Sequence, residues 1–142
     1  MNDTVKLLRE CNAGIKMGES AIEKVAPSTH SGKLRQLLDD AKDEHAILGD
    51  RTHSMLKRQG ADTKEPHAAV RLMSDMKISV QMAVCDSDHS VASLMTDGCN
   101  MGVKSISKYL NRYKNASPEA KDIARKLIAS EATLGENLRP FL

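Results

Sequence analysis

A chain of 142 residues fits one domain with a real core and is too short for two independent ones. Its 40% hydrophobic and 28% charged content excludes a disordered composition, and a net charge of +2, from 21 basic and 19 acidic residues interspersed, gives no basic field of the kind that neutralises nucleic-acid phosphates. With no Trp, one Phe and two Tyr, base-stacking platforms and strand-favouring aromatics are both scarce; the remaining Leu, Met, Ala, Ile, Lys and Glu lose little rotamer freedom in helices, so the expected class is all-α.

From Thr4 to Ala26 apolar residues recur three and four apart, as Val5, Leu8, Cys11, Ile15, Gly18, Ile22 and Val25, which predicts one helix face with Pro27 as its stop. A second run, Leu34, Leu38, Ala41, His45, Leu48, Thr52 and Met55, follows the His30-Ser31-Gly32 turn. It ends at Lys57-Arg58-Gln59-Gly60, with bases in the last turn and Gly just past it. So short a connection makes the two an antiparallel hairpin. Glu65-Pro66 opens a third helix through Met73, Met76, Val80 and Ala83, ended by Asp86-Ser87-Asp88. The fourth is predicted from about Ser87 to Lys114, and Ser117-Pro118-Glu119 starts the last, whose stripe is Ile123, Leu127, Glu131, Leu134, Leu138 and Phe141.

The chain also repeats itself. Cys11-Asn12-Ala13-Gly14-Ile15-Lys16 returns as Cys99-Asn100-Met101-Gly102-Val103-Lys104, and His45-Ala46-Ile47-Leu48-Gly49-Asp50 aligns with Glu131-Ala132-Thr133-Leu134-Gly135-Glu136. The expected architecture is therefore a ferritin-like four-helix bundle of two repeated helical hairpins joined by a helical crossover. As domain organisation this is a single unit over 1–142, with hairpin 1–60, crossover helix 61–86 and hairpin 87–142. The paired glycines Gly14 and Gly102, Gly49 and Gly135, are read as places where neighbouring backbones approach closely.

Counting outward from each turn sets Asn12 level with His45 and Asn100 level with Glu131, which predicts a structural polar layer in mid-bundle. Two readings follow. One is a carboxylate and imidazole metal site of His45 and Glu131, with Glu19, Glu44 or Asp97, holding Fe or Mn. The other, which the residues favour, is a hydrogen-bonded layer in which His45 donates to Glu131 or to an Asn. A di-iron centre wants Glu-x-x-His on two helices, whereas the residue three before His45 is Lys42 and the one three after Glu131 is Leu134. Asp86-Ser87-Asp88-His89 reads as capping and Asp50-Arg51-Thr52-His53 as a solvated face. The methionines, Met73, Met76, Met82, Met95 and Met101 among them, read as core filler. Cys11, Cys85 and Cys99 read as reduced thiols, and no catalytic residue or cofactor-binding motif emerges.

With Cys11-Asn12-x-Gly14, Gly60-Ala61-Asp62, Lys64-Glu65-Pro66-His67, Asp97-Gly98-Cys99-Asn100-Met101-Gly102 and Glu131 in place, nearly the whole chain resembles the bacterial ferritin-like proteins catalogued as domain of unknown function 2383, in a Firmicutes-type branch. That resemblance implies a ferritin-like bundle without an established activity, whose metal-binding relatives would use inward carboxylates and histidines. The functional expectation is a non-catalytic structural or interaction protein with a degenerate metal site, the alternative being an Fe/Mn oxidoreductase or iron-handling protein. The N-terminus is charged from its third residue and no apolar run approaches the roughly 20 residues that span a bilayer. The expected setting is the cytoplasm, with a homo-oligomer or protein partner and neither nucleic acid nor membrane.

Overall fold

The computed structural model describes residues 2–63, 77–78, 81–82 and 85–142. They form an all-α bundle of four long helices, α1 (Asp3–Val25), α2 (Gly32–Arg58), α3 (Asp88–Arg112) and α4 (Pro118–Leu138), with no strand among the described residues. Each helix starts on a side-chain oxygen that takes an orphan first-turn N–H: Asn2 accepts from Val5, Ser31 from Leu34, Ser87 from Ser90 and Ser117 from Ala120. Pro27 does not stop α1 outright; the chain goes on through a short 3-10 turn at Ala26–Ser28 before α2 begins. At the end of α2, Gly60 adopts φ +65°, the left-handed conformation that closes a helix, while the N–H of Ala61 donates back to Leu56.

End-to-end contacts give the topology. The Asp88 carboxylate accepts from the backbone N–H groups of His30 and Ser31, so α3 begins at the end of the bundle where α1 finishes and α2 starts. At the opposite end Asn115 donates to Asp3 and Ser117 to Thr4 Oγ1, which ties the α3–α4 turn to the start of α1. Taking α1 as up, the order is up, down, down, up. The connection from α2 to α3 therefore has to travel the length of the bundle, the ferritin-like arrangement with one long crossover. The crossover helix expected from Glu65-Pro66, with Met73 and Met76, lies outside the described residues except at 77–78 and 81–82, which are helical. There Met82 is buried against the end of the bundle that holds Leu34 and Val91.

Two apolar clusters fill the interior. One, at the Asp3 end, gathers Leu7, Leu8, Leu56, Ile106, Ile123 and Leu127; the other gathers Ile22, Leu34, Leu38, Val91, Met95 and Leu138. Each such side chain contributes roughly 1.5–3 kcal/mol on leaving water. Met101, expected as core filler, is 70% exposed on the outer face of α3.

Candidate functional site

Between the two clusters sits a polar level. His45 follows Ala41 of one cluster by a turn and precedes Leu48 of the other, and Glu131 stands likewise between Leu127 and Leu134. Their side chains meet: Nε2 of His45 lies 2.7 Å from Glu131 Oε1, and Nδ1 lies 2.7 Å from the Ala41 carbonyl oxygen. His45 is 1% exposed and Glu131 8%. Both nitrogens of the ring face acceptors, an arrangement satisfied when each carries a proton and donates, to the carbonyl on one side and the carboxylate on the other.

Electrostatics agree with that geometry. Burial alone pulls the imidazole pKa down, but the hydrogen bond and charge of Glu131, the Ala41 carbonyl and the nearby charge of Glu19 outweigh it, and the net shift is upward. The Cys99 thiol is buried one helix away, under the influence of the Glu131 carboxylate. Burial first, then that carboxylate, pushes its pKa far up and keeps it a neutral thiol. Burial, with the charge of Glu10, also raises Cys11, to about 12.

Space for the pair comes from two glycines. A methyl group at Gly18 would sit 2.7 Å from His45 Nε2, and one at Gly102 would sit 3.3 Å from the Glu131 carboxyl carbon. The neighbours of the glycines are therefore side chains. The expected close backbone approach at Gly14, Gly49 and Gly135 gives way to ordinary contacts with Ile106, Ile15 and Cys99 side-chain atoms.

Of the residues singled out in the sequence, His45 and Glu131 are in direct contact and Glu19 acts on His45 through its charge. Glu44 does not join them: it is exposed and accepts a hydrogen bond from Ser130 at 2.6 Å. Asp97 is exposed as well. Among the described residues no group of three or more His, Cys, Asp or Glu side chains is arranged to hold a metal ion. The donor set thus does not fit a di-iron centre.

The expected polar layer needs two corrections. Asn100 is exposed and takes no part in it. Asn12 is 1% exposed but lies opposite His53, whose Nε2 donates to its Oδ1 at 2.7 Å, and not opposite His45. The register differs because the 3-10 turn carries the chain onward past α1, so the reversal falls at the start of α2 and not midway through the connection. His53 lies on the exposed face expected of it, and from there its ring reaches Asn12; the residue types on α1 and α2 give no sign of that pairing. The Asp86-Ser87-Asp88 cluster caps as expected, Ser87 on its own helix and Asp88 across on the start of α2.

The chain matches no protein-family model and no curated protein sequence. Among solved structures it is similar to a DUF305 fragment from Deinococcus radiodurans, at 14% identity and a TM-score of 0.78, over 99% of this chain and 95% of that one. The likeness extends to the fold. No described helix is long and apolar enough to cross a membrane.

Proposed function

We propose that this is a non-catalytic helical-bundle protein of the cytoplasm that works through self-association or a protein partner and not through nucleic acid, its mid-bundle His45–Glu131 pair being a structural remnant of a metal-site position. One observation carries the reading: both ring nitrogens of His45 are already engaged, one by Ala41 and one by Glu131, so a metal would have to displace a buried hydrogen bond to bind. The want of a third ligand beside the pair among the described residues supports it. A relationship to the domain-of-unknown-function 2383 proteins, and an origin of hairpins 1–60 and 87–142 by duplication around a crossover at 61–86, belong to the same proposal. They are supported by the short motifs and by the meeting of His45 with Glu131, which occupy corresponding positions in the two halves.

Metal analysis of protein purified without chelator or affinity-tag metal tests the proposal. The expected result is far less than one Fe or Mn per chain after saturating supply under reducing conditions. A stoichiometric transition metal that is lost in the His45→Ala, Glu131→Ala variant would overturn it in favour of a metal-dependent oxidase or iron-handling protein.

A further inference from the structure

The even mixture of charges along the sequence hides a local concentration. Residues 105–126, which form the last two turns of α3, the turn, and the first half of α4, carry six basic residues against two acidic ones in a chain whose net charge is +2. Both acids are already taken: Glu119 lies 3.7 Å from Arg58, and Asp122 is paired at 2.7 Å with Arg51 and at 3.2 Å with Lys126. Two other cations are held by aromatic rings, Lys108 and Arg112 over Tyr109. What remains is Lys114, Lys121 and Arg125, and these three, with Asn111 and Leu110, line one cleft of about 450 Å³. Among the described residues no carboxylate lines it. The neighbouring cleft of about 440 Å³ has Arg58 and Glu119 together in its wall and is neutral.

We propose that the cleft at the α3–α4 turn binds a small oligophosphate anion, with Lys114, Lys121 and Arg125 as its charged donors and the Asn111 amide as a neutral one. Three cations facing one space without a counter-charge repel each other, and an anion of three or more negative charges relieves that repulsion. A singly charged carboxylate would leave most of it. Arg125 offers the planar fork that fits two phosphate oxygens, and Lys121, one helical turn before it on α4, reaches the same side. The turn that joins the two walls is held to α1 before any ligand arrives, by the hydrogen bonds of Asn115 to Asp3 and of Ser117 to Thr4. Part of the ordering cost of binding is thereby already met.

The test is calorimetric titration of the full chain with inorganic tripolyphosphate at constant ionic strength, alongside a short single-stranded oligonucleotide. The expected result is one saturable site per chain, weakened by about tenfold or more in Lys121→Gln, Arg125→Gln. Removing the same number of charges at the far end, with Lys24→Gln, Lys33→Gln, should leave it unchanged. No saturable tripolyphosphate binding would overturn the proposal. So would equal loss in the far-end variant, or binding of the oligonucleotide alone.

Discussion

The side chain of His45 is held so closely that a single added methyl group is enough to disturb it. Gly18 faces its ring, and the ring cannot swing aside without breaking the hydrogen bond to Ala41 or the one to Glu131. Gly14, a turn away on the same helix, meets only the ends of Ile106 and Leu127 at 3.5 Å and beyond. The two glycines therefore respond in opposite directions to the same change. Gly18→Ala is expected to destabilise by roughly 1–2 kcal/mol, since overpacking exceeds the gain in helix propensity, while Gly14→Ala is expected to stabilise by up to about 1 kcal/mol. Urea midpoints of the two variants check this. The sequence could mark both positions as interior helix glycines, but which of them faces a ring depends on the register between α1 and α2, set by the 3-10 turn at Ala26–Ser28.

At the scale of the elements, the starts and stops were the most legible part. Ser117 with Pro118, and Gly60 after two basic residues, are local signals read within a few residues of chain. What joins one hairpin to the other is not local. Asp88, in the first turn of α3, caps the start of α2 by accepting from the N–H groups of His30 and Ser31, 57 residues or more away in sequence. Asp88→Ala is expected to cost about 1–2 kcal/mol, with Asp88→Asn retaining part of it, because only the carboxylate carries the full charge-assisted bond. Unfolding free energies from urea titration measure the difference. The failure at Asn100 has a cause at this scale too. Helix α1 packs against all three other helices, so Cys11 and Asn12 both fall inside, whereas α3 packs chiefly on α4 and α1, and the residue 100° on from buried Cys99 reaches solvent. Matching residue names between the halves could not reveal that their helices occupy unequal places in the bundle.

Over the whole molecule, the pairing of His45 with Glu131 is a buried link between the two hairpins at mid-height, between one apolar cluster and the other. That both residues face inward was legible from their stripes; that they meet was legible only as one of several alternatives, because the sequence leaves open which of the polar groups at that level are paired. On the proposed reading this pair is self-satisfied and structural. Removing one partner strands the other in the interior, at about 3–5 kcal/mol, whereas replacing both by apolar residues leaves no charge behind. The imidazole pKa is raised on folding, so its contribution to stability is fully present below the unfolded value of about 6.5 and is lost as pH rises through the folded value. A double-mutant cycle of His45→Leu and Glu131→Leu, followed by urea unfolding from pH 5.5 to 9 in the presence of chelator, tests this most directly. The double variant is expected to lose much less than the sum of the singles, and the wild-type advantage over it is expected to shrink as pH rises. Additive losses, or an advantage that does not change with pH, would contradict it.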